Sequence, residues 1–240
     1  MKRLSLLVAS IVTLVLFASA ARPFAPVKRN LEVSSASGSL VASTARVRRS
    51  RDTDDVKRRL KQAEPGTYIG EILLTRDSAL ARWRDRVARP LRVWIQPTTN
   101  IPDWDPGYVI QVRDAFATWS TTKIPVRFFY VADSAGADVH VRFIDRFAEP
   151  ISGKTRWARD DSWWIVDADI VIALHHDTGE SLDRSAIRAI ALHEIGHMLG
   201  LDHTADIANI MTPRVRVREL SGADRSTMEL LYTLPPGPVR

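Results

Sequence analysis

An α+β fold is predicted by three features of this 240-residue sequence: short alternating strands in its middle, a helix set among them, and two helices at its end. The elements can be taken in order. Residues 68–74 have strand character, and residues 79–87 read as a short helix before Pro90. Residues 91–95 alternate between Pro90 and Pro97 and read as a strand. Residues 108–120 follow with Val109, Val112, Phe116 and Trp119 on one helical face. Residues 126–131 form a second strand, broken in its apolar run by Arg127, and residues 137–143 alternate strictly as a third, half-buried one. A short edge strand is expected at 154–158, then a longer strand at 163–174 with Ile170 and Ile172 on one face. Asp183 or Ser185 can open the next helix, which runs to about Leu199, where Gly200 stops it. Ser221, three residues before Asp224, has the form of a capping box for a last helix reaching Leu231.

Composition excludes several classes. Hydrophobic residues at 45% and charged residues at 26% are ordinary for a globular chain, so neither disorder throughout nor a polytopic membrane protein is indicated. The formal charge of +6 is unevenly spread: residues 1–90 carry +10 and residues 91–240 carry −4. The basic residues sit outside the predicted folded domain, which argues against nucleic-acid binding. There is no cysteine, so any tightly held transition metal must rely on histidine and carboxylate.

The N-terminus reads as an address. Lys2 and Arg3 precede a short apolar run at 4–17, and Ala18-Ser19-Ala20 supplies a small-x-small cleavage pattern. Residues 1–20 are therefore expected to be a cleaved signal peptide, which sends the chain out of the cell or into the cell envelope. Residues 21–66 are charge-dense and poor in large apolar residues, as in a basic tether or a propeptide-like segment able to touch an anionic surface. Residues 67–89 are expected as an ordered lead-in, 90–234 as the packed domain and 235–240 as a tail. A monomer is the expected state.

Chemistry concentrates at His193-Glu194-Ile195-Gly196-His197 and the following Gly200 and His203. On a helix, positions i and i+4 differ by about 40° in azimuth and 6 Å in rise, so His193 and His197 project from one face. Gly200 permits a left-handed residue that ends the helix, and the chain can turn back to deliver His203. Three histidines leave one corner of a tetrahedral zinc for water, the mark of a catalytic rather than a closed site. Glu194 can lean over the metal without ligating it and move the water's proton. A bare H-E-x-x-H arises by chance in about one chain in a hundred of this length, and requiring Gly200 and His203 makes coincidence far rarer.

The extended pattern, H-E-x-x-H-x-x-G-x-x-H, resembles the signature of the metzincin zinc proteases, whose second mark is a Met-turn beneath the metal. Asn209-Ile210-Met211-Thr212-Pro213 is similar to that turn, with Met211 as its methionine. Within the metzincins the chain most resembles the matrixins, in a short bacterial-type form. Ala137-Asp138-Val139-His140-Val141-Arg142-Phe143 looks like that family's A-D-I-x-I-x-F strand. Thr204 after the third histidine looks like the matrixin serine, and Leu220-Ser221-Gly222-Ala223-Asp224 with Leu231-Tyr232 resembles its closing helix. The resemblance implies a twisted mixed sheet with a packing helix, an active-site helix and a small C-terminal subdomain. It implies a zinc endopeptidase with ligands His193, His197 and His203 and with Glu194 as general base and acid. It also implies a peptide substrate laid extended along the edge strand near 154–158, where Trp157 either contacts it or packs inward.

Some family features are missing. Without cysteine, no thiol can hold the zinc latent. Structural zinc or calcium ligands are not evident, although His175, His176 and Asp177 are candidates for a second metal. His140 has no assigned role, and Val215 stands where the family's specificity pocket carries a tyrosine. The competing class is a catalytically silent binding module, stabilised by zinc and held at the cell envelope by its N-terminal segment.

Overall fold

The computed structural model describes residues 66–76 and 79–239, together with Arg58 and Leu60. The expected signal peptide and nearly all of the 21–66 segment lie outside the described residues. Among the described residues the α-helices α1 Ile69–Thr75, α2 Gly107–Trp119, α3 Arg184–Leu199 and α4 Gly222–Thr233 pack with eight strands. The strands are β1 Ala79–Leu80, β2 Arg82–Trp83, β3 Arg86–Ile95, β4 Val126–Tyr130, β5 Val139–Ile144, β6 Gly153–Arg159, β7 Trp164–Ala173 and β8 Gly237–Pro238.

The main sheet runs β2-β7-β5-β3-β4, and all these pairs are parallel. β6 pairs antiparallel with the other side of β7, which makes the sheet mixed and leaves β6 at its edge. The parallel pair β3–β4 requires a crossover, and α2 supplies it. Val112, Ala115, Phe116 and Trp119 bury that helix's inner face, while Val109 is only half-buried. Alternation in sequence becomes alternation in burial: Leu91, Val93 and Ile95 on β3 and Val139, Val141 and Phe143 on β5 all point into the core. α3 packs against α2 on one side and against β6 and β7 on another.

Two elements before Pro90 differ from the expectation. Residues 69–75 form a helix rather than a strand, because Ile69 and Ile72, three apart, share the face that packs toward β1 and α4. Residues 79–87 do not form a helix. Ala79, Leu80, Ala81 and Trp83 are all buried, a run too continuous for a one-sided surface helix. Strand pairing overrides their local propensity: β1 joins β8, and β2 joins β7. The lead-in therefore belongs to the same core as the residues after Pro90. The tail is also tied down, through Gly237 and Pro238 opposite Leu80 and Ala79.

Candidate metal centre and substrate cleft

Asp183 opens α3, its carboxylate accepting the Ala186 N–H at 2.6 Å, and Ser185 lies inside the first turn. Four turns later Gly200 ends the helix with φ of 114°, and Leu201 N–H reaches back to the Gly196 carbonyl at 2.9 Å. A Cβ at Gly200 would lie 2.2 Å from the Ala81 carbonyl oxygen, so the reversal needs glycine for space as well as for angle. Trp83 Nε1 and the Tyr232 hydroxyl donate to the carbonyls of Met198 and Leu199, satisfying helix-end acceptors that would otherwise be buried without partners.

The reversal brings His203 back to the helix. The three Nε2 atoms lie 3.0 Å (His193–His197), 3.2 Å (His197–His203) and 3.3 Å (His193–His203) apart. A tetrahedral zinc with Zn–N bonds of about 2.0–2.1 Å sets N–N edges near 3.3–3.4 Å, so the donor set fits that ion closely. Two rings are oriented from behind. His193 Nδ1 donates to the Ile210 carbonyl at 2.7 Å and His197 Nδ1 to the Leu201 carbonyl at 3.0 Å. Those bonds place the proton on Nδ1 and leave the Nε2 lone pairs facing the common point. Burial lowers all three imidazole pKa values, His193 to about 4 and His197 well below its ordinary 6.5, so the rings are neutral ligands at neutral pH. Among the described residues this is the one group of three or more His, Asp or Glu side chains that could hold a metal.

Glu194 is 4% exposed and hydrogen-bonded by the Thr155 hydroxyl of β6, at 2.6 Å to Oε2. Burial pushes its carboxyl up to about 7, against the opposing pull of the Thr155 bond. Beneath the histidines, Met211 is fully buried against Gly196, where a Cβ would meet its Sδ at 2.3 Å. Ile210, one residue earlier, joins two halves of the site: its carbonyl holds His193, and its N–H donates to buried Asp224 at 3.0 Å. Asp224 also caps α4 with Ser221 in a capping box and accepts the Tyr68 hydroxyl at 2.9 Å.

Similarity to known proteins agrees with that geometry. The family model described as Peptidase_M10, Matrixin, matches residues 145–233, which include α3, the His203 loop, Met211 and all of α4. Residues 145–233 are thus similar to the matrixins in sequence as well as in the elements they form. Among curated proteins, it is 30% identical over 123 residues to Metalloendoproteinase 1-MMP of Arabidopsis thaliana, covering 44% of this chain and 31% of that protein. It is 43% identical over 63 residues to Matrix metalloproteinase-21 of Mus musculus, 25% of this chain and 10% of that one. With Matrix metalloproteinase-C of Caenorhabditis elegans the identity is 24% over 175 residues, 65% of this chain and 28% of the relative. The aligned parts thus span about a third or less of these relatives' length.

The structure refines several expectations drawn from the family resemblance. His175, His176 and Asp177 do not converge on a second site. The His175 ring lies instead between Asp103 (Nε2, 3.1 Å) and Asp145 (Nδ1, 2.7 Å), and those carboxylates raise its pKa. His140 has a local partner, the Ser134 carbonyl at 2.8 Å from Nε2. Trp157 is half-buried against the core with the Arg76 guanidinium 5.2 Å above its ring. Val215 does line the cleft.

Three supporting residues escaped the sequence reading. Thr155 touches Glu194 as described. Arg76 bonds Asp202 at 3.0 Å and the carbonyls of Gly200 and Leu201 at 2.8 and 3.0 Å, so it holds the reversal from outside. Glu71 accepts from Thr204 Oγ1 at 3.0 Å and from Ala205 N–H at 2.7 Å, just beyond His203. No motif announces such residues, because Arg76 and Glu71 lie more than 120 positions from their partners.

Proposed function

We propose that this chain is a zinc-dependent endopeptidase in which His193, His197 and His203 hold the ion and Glu194 carries the proton. The observation that supports it most is the convergence of three neutral Nε2 atoms within 3.3 Å of one another, with the Glu194 carboxylate one residue from the first of them. Zinc bound there would supply Lewis acidity toward the scissile carbonyl and would acidify water toward neutral pH. Glu194 takes a proton from the attacking water as its oxygen bonds to the carbonyl carbon. It returns that proton to the amine nitrogen as the C–N bond breaks, leaving a carboxylic acid and an amine, between which the remaining acidic proton equilibrates. Burial raises the Glu194 carboxyl above the ordinary carboxylate range in the metal-free site, the direction that suits a group that must accept and then donate a proton. Thr155 holds the carboxylate in place from the edge strand.

The peptide is proposed to lie extended along β6, whose outer side has unpaired main-chain groups and borders a cleft of about 630 Å³ beside the histidines. Export through residues 1–20, with the basic segment after them touching an anionic surface, completes the proposal and rests on the sequence alone. A silent zinc-stabilised module would have no use for a buried, unliganded carboxylate held at this place, which favours the enzyme.

The test is Glu194→Ala assayed on a mixed peptide library alongside metal content by mass spectrometry. Turnover should fall by at least about 10²–10⁴-fold while zinc stays near one equivalent. Turnover that survives either this substitution or a strong chelator would overturn the assignment.

A further inference from the structure

The matrixin segment after Met211 has an unusual alternation: Arg214, Val215, Arg216, Val217, Arg218. Val215 and Val217 are half-buried against the core, and the three arginines between and around them are exposed. Arg214 and Arg218 line the cleft, and Lys154 of the edge strand lines it too. Among the described residues none of the three has a carboxylate within ion-pair distance, whereas several arginines elsewhere in the fold are paired. Arg76 meets Asp202, Arg92 meets Asp138, Arg142 meets Asp169 and Arg184 meets Asp105. Glu219, the nearest acid along the chain, is taken by Arg188 at 2.8 Å, and Arg188 also bonds the Arg218 carbonyl at 2.8 Å. That arrangement removes the local counter-ion and tethers the loop that displays the positive charge.

Among the described residues the only carboxylate lining the cleft is Glu194, which is buried and bonded to Thr155. The cleft therefore presents three cations to a substrate and no exposed acid. Its wall on α3 is aliphatic, made by Ala186, Ala189 and Ile190, with Val215 from the loop. An apolar wall with a cationic rim fits a side chain that has a methylene stem and a carboxylate end.

We propose that this cleft selects peptides carrying an acidic residue beside the scissile bond, glutamate ahead of aspartate, through Lys154, Arg214 and Arg218. The proposal rests on the peptidase reading and names its substrate class. Coulomb attraction between exposed groups is screened, so the preference belongs to low and moderate ionic strength and weakens in high salt.

The experiment compares quenched fluorogenic peptides identical except for Glu, Gln or Lys at each position flanking the bond, with zinc-loaded wild type and with Arg214→Glu/Arg218→Glu. At low ionic strength wild type should show kcat/KM about tenfold or more higher for the Glu peptide than for its Lys counterpart at one flanking position, shrinking in high salt. The double variant should reverse the order. Equal rates for Glu and Lys peptides, or an order that the charge reversal leaves unchanged, would overturn the proposal. Hydroxamate-sensitive cleavage of the Gln peptide reports separately on the peptidase reading. Should no peptide be cut, that reading fails, and fluorescence anisotropy of the same labelled peptides on zinc-loaded Glu194→Ala still decides selectivity: tighter binding of the Glu peptide supports it, and equal binding ends it.

Discussion

The candidate metal centre is assembled from two unlike halves. His193 and His197 come from consecutive turns of one helix, and their spacing alone brings them to a common face. His203 comes from a loop whose path is set by Gly200, by the grip of Arg76 on residues 200–202 and by Glu71 on residues 204 and 205. The first half is local and the second is tertiary. One consequence is that residues before Pro90, which contribute none of the three histidines, help decide where the third histidine stands. Another is that the two halves should fail differently when disturbed.

The sharpest break is at their junction. Gly200→Ala puts a Cβ 2.2 Å from the Ala81 carbonyl oxygen and forces a non-glycine residue to φ of 114°. The fold should lose about 3 kcal/mol or more, read by chemical denaturation of the metal-free protein. Next is the loop half alone. Arg76→Ala should lower zinc affinity about 10–100-fold in a chelator competition titration, while circular dichroism shows α3 intact. An affinity equal to wild type would mean that the loop holds its shape unaided. Glu71→Gln keeps the size of the side chain but weakens its acceptance from Thr204 and Ala205, so a smaller loss, up to about tenfold in the same titration, is expected.

The smallest effect probes a region outside both halves. Both His175 nitrogens face carboxylates, first Asp103 and then Asp145, so its folded pKa lies above 6.5. Its charged form is favoured by folding. The stabilisation is full below the unfolded pKa of 6.5 and is lost as pH rises through the higher folded value. Stability measured across that window should decline in wild type and flatten in His175→Gln, with zinc affinity unchanged by the substitution. A fall in affinity would mean that this loop does reach the centre.

Much of the site was legible because its signals are periodic or steric. The i, i+4 histidines, the breaker at Gly200 and the Ser221–Asp224 capping box all act within a few residues, and each appears where expected. The alternating strands 91–95 and 137–143 were legible for the same reason, since a two-residue period shows which face is buried. The misreadings cluster where local preference and tertiary demand disagree. Residues 68–74 are rich in apolar residues that suit either period, and only packing toward β1 and α4 selects the helix. Residues 79–87 look helical by composition, yet β1 and β2 are made by partners about 80 to 160 residues away. His175 and His176 are adjacent in sequence, but adjacency does not say that Asp103 and Asp145 will claim the first ring.

By itself, then, the sequence determined which side chains can bind metal, that two of them share a helical face, that the helix must stop at Gly200, and that a matrixin-like methionine follows. These are properties of short segments, where backbone geometry leaves little choice. Tertiary structure decided that Thr155 secures Glu194, that Arg76 and Glu71 support the third histidine, and that the cleft is lined by cations without ion-pair partners among the described residues. Those contacts join segments tens to more than a hundred residues apart. Closing such distances costs chain entropy that only the packing of the whole core offsets, so no local pattern could have announced them.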